Sequence, residues 1–537
     1  MTIDSLYDNI DKNNFYIGRI SQVYRENCIA QVENLSLLSH RKINDEFLIP
    51  NTINYFVVID SVKGIFLGEI FQTKIPSSES VHDSVNKGRL EVVFPEMNID
   101  IIGVMTYHDK KFVLPEFLTA GVTDKVYMAN KQIIEKYLQS LEINRTEEEN
   151  LGAFATYLNM NNEEVNLKPS TLFDHHLFTV GATNSGKSTS ALSILDKVIQ
   201  AEKKVLIIDP TGEYKEAFAD SEIKKLTLGV DTAISPGMLS MQQWAMLFEA
   251  NGNTQGPVLA EAIRSLRYQK KLGESSYLKK VGKNITQMQQ QLAMLSESDL
   301  DFDISLLPKQ IVAEAVCESS KEKNKYIYDS FKANMNNYLI QKVTYQLANT
   351  RFLSFFSKTG SMMNNLLEEI DEFVHTSNTS LYINSSELGV SEGIGGMIID
   401  LLCNFIMEKK NINPFVFFID EVHRYTKSPY AEETYHNGLT IVAREGRKKG
   451  IFLFLTSQNP QDVSPVLLGQ VGTLLIHRLT HNDEIRAIQN HLDDYSIRQV
   501  KKLNQGEAIL TSINLLQNLF IRVTKCKRRQ DNDTPLL

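Results

Sequence analysis

The segment Gly181-Ala-Thr-Asn-Ser-Gly186-Lys187-Ser188 constrains this chain more than any other feature. It fits the G-x-x-x-x-G-K-[ST] pattern, follows the apolar run LFTV and precedes an amphipathic stretch starting near Thr189. A strand, a glycine-rich turn and a helix in that order place several backbone N–H groups and a helix N-terminus around one anion. The expectation is a nucleotide site formed by Gly181, Ala182, Thr183, Asn184, Ser185, Gly186, Lys187, Ser188 and Thr189. Lys187 would reach the β- and γ-phosphates of ATP, and Ser188 would ligate Mg²⁺. A chance match in a loop would need neither the strand before it nor the helix after it.

Such a loop needs acids at the ends of neighbouring strands. Phe415-Val-Phe-Phe-Ile-Asp420-Glu421 is a buried-strand pattern ending in two of them. Asp420 would hold the metal through its water shell and Glu421 would polarise the attacking water. Two surface acids after a core strand are a common alternative, and the pairing with the glycine-rich loop favours the catalytic reading. In VLIIDPTGEY, Asp209 and Glu213 follow another strand, so Glu213 competes with Glu421 as the base. There, Pro210 and Gly212 fit a turn that Asp209 could simply cap. Gln458, at the end of IFLFLTSQ, would sense the γ-phosphate or satisfy buried backbone groups. The cluster Ala443-Arg444-Glu-Gly446-Arg447-Lys448-Lys449-Gly450 is either a solvated helix end or a source of an arginine for a neighbouring subunit's nucleotide.

The chain has 537 residues, too many for one core, so several domains are expected. Residues 1–150 carry short β-rich runs (FYIGRI, CIAQVE, YFVVID, LEVVFPEMNIDIIGVM) suggesting a small barrel, then a charged stretch from 125 to 150 read as a bridging helix. Residues 151–234 and 376–524 form an α/β core in which strands alternate with helices, with a helical insertion at 235–375. Residues 525–537 form a basic tail, read as an exposed segment that docks on a neighbour or stays mobile.

Composition narrows the partners. No apolar run reaches the length of a membrane span, and the N-terminus lacks a secretory pattern, so a cytoplasmic protein without membrane contact is expected. Cys28, Cys317, Cys403 and Cys526 have no metal-ligand spacing. The net charge of -9 requires any nucleic-acid contact to be local, as in a pore.

Taken in order, GATNSGKS, DPTGEY, FIDE, AREGRKKG and TSQNP resemble the HerA branch of the HerA and FtsK motor ATPases, over roughly residues 170–220 and 380–525. The resemblance implies a RecA-like P-loop ATPase core behind an N-terminal β-barrel, in a homohexameric ring that translocates double-stranded DNA. It also implies a nuclease or sirtuin-like effector partner, with a role in DNA processing or phage defence. By the family's pattern the trans arginine is Arg444 or Arg447, with Arg478 a third candidate. An ATP-dependent scaffold or switch that activates a partner without moving DNA is the competing reading. A membrane-anchored pump lacks its anchor here, and an ATP synthase subunit would not carry DPTGEY or AREGRKKG. Asn184 stands where the family commonly has glycine, at a position suited to left-handed backbone that Asn tolerates. His175 and His176 stand where an arginine is common, and are read as flanking the first strand.

Overall fold

The computed structural model describes residues 2–7, 10–43, 46–48, 55–108, 110–143, 147–160, 163–356, 363–389, 392–426 and 437–529. It divides into two compact units, Met1–Thr171 with Ala508–Arg522, and Leu172–Glu507 with Val523–Leu537.

In the first unit, six antiparallel strands close a barrel in the order Tyr16–Val23, Asn27–Val32, Glu96–Met105, Gly64–Lys74, Phe56–Ser61 and Lys125–Met128. Alternation builds it. In Asn27–Val32 every second side chain (Cys28, Ala30, Val32) is buried, as a strand with one face on a core requires. Gly18 is needed because a Cβ there would lie 2.1 Å from the carbonyl oxygen of Gln31 on the paired strand. The stretch read as a bridging helix opens with the last barrel strand, since Val126, Tyr127 and Met128 are all buried, and only Lys131–Leu138 is helical. Ala508–Arg522 returns to this unit from the far end of the chain. Its strand Leu519–Val523 receives a backbone bond from Leu158.

The second unit is built on parallel strands in the order Thr473–Ile476, Leu177–Val180, Ile451–Ser457, Phe415–Ile419, Val205–Asp209, Ser380–Asn384 and Ile223–Thr227. Most are apolar end to end because helices cover both faces of such a sheet. With Val180 paired to both Ser457 and Ile476, and Ile208 paired to Ile419, the carboxyl ends of these strands form one edge. This α/β sheet with a glycine-rich loop at its edge is the RecA-like P-loop fold, and the barrel precedes it, as the sequence led us to expect. Between Pro236 and His375 the chain is mainly helical, around a cluster in which Trp244 contacts Phe248, Phe302 and Phe356 at ring-centroid distances of 5.8, 5.7 and 5.4 Å. One short hairpin, Val316–Glu318 with Tyr326–Tyr328, interrupts it. No helix among the described residues is long and apolar enough to cross a membrane.

Candidate nucleotide site

The glycine-rich loop leaves the strand Leu177–Val180 and feeds the helix Lys187–Gln200. Asn184 adopts φ +62°, the left-handed conformation its residue type tolerates, with its side-chain oxygen accepting from Gln505 at 2.8 Å. Gly186, at φ +107°, packs so closely on Gly506 that a Cβ would fall 2.9 Å from its nitrogen. A second glycine turn thus supports the loop, with Gly506 N–H donating to the Ser185 carbonyl at 2.9 Å.

Four side chains close a circuit over this loop. The Lys187 ammonium is bonded to the Glu421 carboxylate, and both are buried. Gln458 donates to the same carboxylate at 2.8 Å, and its oxygen accepts from Thr183 Oγ1 at 2.9 Å. Gln458 is solvent-accessible and bonds side chains, so the reading in which it satisfies buried backbone is set aside. His423 Nδ1 lies 3.2 Å from the other Glu421 oxygen. Burial would raise the Glu421 carboxyl, but His423 and Lys187 outweigh it and hold it at about 2. Glu421 is therefore a carboxylate at neutral pH. Its backbone is left-handed, φ +49°, a conformation non-glycine residues adopt at a cost of roughly 1 kcal/mol or more and which clusters at functional sites.

Beside it, Asp420 is fully enclosed and bonded by the Thr456 hydroxyl, which also accepts from the Glu421 N–H at 3.0 Å. Burial pushes the Asp420 carboxyl up to about 7, with Lys187 opposing and Glu421 adding to the rise. Glu213 is half-buried and its charge also acts on Asp420. Asp209, in contrast, is consumed by its turn: it accepts from the N–H groups of Thr211, Gly212 and Tyr214 at 3.0, 2.8 and 2.9 Å, and from the Tyr382 hydroxyl at 2.9 Å. Capping accounts for it.

The residues present fit a nucleotide with a divalent cation. On the loop and in the first turn of its helix, the buried hydroxyls of Ser185 and Ser190 have no protein partner. Ser188, half-buried one residue after Lys187, and the enclosed Asp420 are the oxygen donors such a cation takes. Thr456, His423 and His477 escaped sequence reasoning. His477 is fully buried with Nδ1 2.9 Å from the Glu507 carbonyl, and its Cβ lies 2.6 Å from where a Gly181 side chain would begin.

The basic cluster lies elsewhere. Arg444 and Arg447 are exposed, at the end of the helix Gly438–Glu445 and in the turn after it, and Arg447 donates to the Asp174 carbonyl at 3.4 Å. Neither meets the Lys187–Glu421 pair within the chain. Arg478 is exposed too, though its carbonyl accepts from Ala182 at 3.0 Å. His176 holds this region to the sheet: one ring nitrogen bonds the Ala443 carbonyl at 2.9 Å and the other accepts from Leu453 N–H at 3.0 Å. His175 is half-buried, and its carbonyl accepts from Gly472 N–H at 2.6 Å. Arg528 of the basic tail is not exposed. It bonds Asp196 at 2.6 Å and Glu222 at 2.8 and 2.9 Å, because those acids and the Phe218 ring form a complementary slot.

Fold and site together define a P-loop ATPase. Residues 151–405 match the family described as the helicase HerA central domain. Over 373 residues the chain is 23% identical to a probable helicase of Methanocaldococcus jannaschii, aligning 67% of itself with 64% of that protein. It is 24% identical over 382 residues to the DNA double-strand break repair helicase HerA of Sulfurisphaera tokodaii, covering 70% and 69%. The chain thus spans slightly under two thirds of the first relative. VirB4 of Thermoanaerobacter pseudethanolicus superimposes with a TM-score of 0.48 at 14% identity, over 72% of this chain and 98% of that one. The chain is thus similar to P-loop ATPases of the HerA type, over residues 151–405 by the family match.

Proposed function

We propose that this chain hydrolyses ATP with Mg²⁺ and uses the energy to translocate double-stranded DNA as one subunit of a homohexameric ring. The observation that carries the chemistry is the closed circuit Thr183, Gln458, Glu421 and Lys187. A γ-phosphate in the loop would meet three of these groups at once. Lys187 would leave Glu421 for the phosphate oxygens, releasing that carboxylate to orient a water in line with the transferring phosphoryl group. Gln458, already joined to both loop and carboxylate, would report the change to the strand Ile451–Ser457. Mg²⁺, held by Ser188 and by Asp420 through water, would neutralise charge developing on the phosphates.

Glu421 is the better candidate than Glu213 for activating water, because it bonds the phosphate-loop lysine and adjoins Asp420. The exposed Arg444 and Arg447 would serve a neighbour's nucleotide. DNA as the substrate rests on the HerA relatives, as does a nuclease or sirtuin-like effector in DNA processing or phage defence. A triplex-displacement assay tests the proposal: ATP should drive removal of a third strand from a duplex, and Lys187→Ala should abolish it. Strong ATP turnover with no displacement would instead favour the scaffold or switch reading.

A further inference from the structure

Far in sequence from the phosphate loop, the helical stretch encloses a cavity of about 630 Å³ lined by Tyr277, Lys279, Lys280, Val281, Lys309, Val312 and Tyr328, among others. Its base is built rather than incidental. Lys280, only 3% exposed, is bonded to the buried Glu314. Glu314 also accepts from Ser265 at 2.6 Å and Gln310 at 2.8 Å, and Gln310 clamps Leu278 through both its N–H and its carbonyl. The segment carrying Tyr277 to Val281 is therefore fixed, and the charge of Lys280 is neutralised within the protein.

The rim differs. Lys279 and Lys309 are exposed, and neither forms an ion pair with any described carboxylate. Lys279 instead sits 5.7 Å from the Tyr277 ring centroid. Tyr328 is 58% exposed, Val281 56% and Val312 50%. In the segment that carries Tyr277, Lys279, Lys280 and Val281, no Asp or Glu occurs between Ser275 and Ser296, while Glu261 lies 3.5 Å from Lys280 and Asp329 follows Tyr328.

Two tyrosine rings beside the apolar Val281 and Val312, with the ammonium groups of Lys279 and Lys309 at the edge, match a planar base attached to a phosphate. We propose that this cavity is a second nucleotide-binding site that takes an unstacked base and its phosphate from a nucleic-acid strand, with Tyr277 and Tyr328 contacting the base and Lys279 and Lys309 the phosphate. The strand as source rests on the DNA-handling function proposed above. The chemistry of the cavity does not.

The test uses the full chain, a short fluorescein-labelled oligothymidylate and anisotropy over a range of salt concentrations. K279E/K309E should weaken binding by about tenfold or more and flatten its salt dependence, as loss of phosphate contacts requires. Y277A/Y328A should weaken it comparably with the salt dependence kept. Both variants should bind a fluorescent ATP analogue at the phosphate loop as the wild type does, which shows that they fold. Displacement of the oligomer by dTMP at equal nucleotide concentration would support the site with free nucleotide as its source. Wild-type oligomer affinity in either variant would overturn the proposal. Absence of triplex displacement with these losses intact would count against translocation alone.

Discussion

Glu421 illustrates how one side chain is pulled between two duties. Bonded to Lys187, it satisfies a buried cation, and breaking such a pair by deleting one partner typically costs about 3–5 kcal/mol. Glu421→Gln keeps a hydrogen-bond acceptor for Lys187 and loses the carboxylate, so ATP should still bind while hydrolysis falls by about 100-fold or more. Glu213→Gln, which leaves the Lys187 contact alone, should reduce turnover far less. Single-turnover measurements on both variants check this, and the reverse ranking would exchange the roles. His477 gives a pH signature. Burial, with Lys187 adding, lowers its pKa from 6.5 to about 4. Between those values the unfolded chain binds a proton that the folded chain refuses. Stability of the ATPase unit should thus fall as pH drops from 6.5 towards 4, by up to about 3 kcal/mol. Denaturation midpoints of wild type and His477→Asn across that range should show the variant with the shallower slope.

At the scale of elements, legibility followed the distance over which each feature is determined. The phosphate loop could be read because its glycines, Asn184 and Lys187 fix local backbone geometry and charge within one turn. Asp420 and Glu421 could be read because an apolar run must end somewhere, and acids at its end face the edge of the sheet. Thr456 could not, since its contacts with Asp420 and Glu421 depend on the register of Phe415–Ile419 against Ile451–Ser457, and His423 could not, since it reaches Glu421 around a left-handed turn that no local pattern specifies. Nor could the return of Ala508–Arg522 to the barrel-bearing unit, or the seating of Arg528 on Asp196 and Glu222, because both join residues hundreds of positions apart. The turn after Val205–Asp209 shows the converse. Asp209→Ala would strip bonds from three backbone N–H groups and orphan the buried Tyr382 hydroxyl, so a loss of about 3 kcal/mol or more is expected. A drop in melting temperature of the purified variant would show it, and an unchanged value would mean that the turn holds without its cap.

For the whole molecule, Arg444 and Arg447 are exposed and do not meet the chain's own Lys187, which leaves them available to a neighbouring subunit. If they complete a neighbour's site, an arginine variant and Glu421→Gln should each be inactive alone and regain activity when mixed, since one interface then combines an intact phosphate loop with an intact arginine. Full activity of Arg444→Ala and Arg447→Ala alone would return the cluster to a solvated helix end or a DNA contact. The central claim, that the Lys187–Glu421 site drives work on duplex DNA, has a more direct test. Steady-state ATP hydrolysis by the purified chain is measured as linear duplex is titrated in, beside Glu421→Gln. The rate of the wild type should rise about tenfold while the variant stays flat at every duplex concentration. A wild-type rate indifferent to duplex, or a Glu421→Gln rate that climbs with it, would contradict the account.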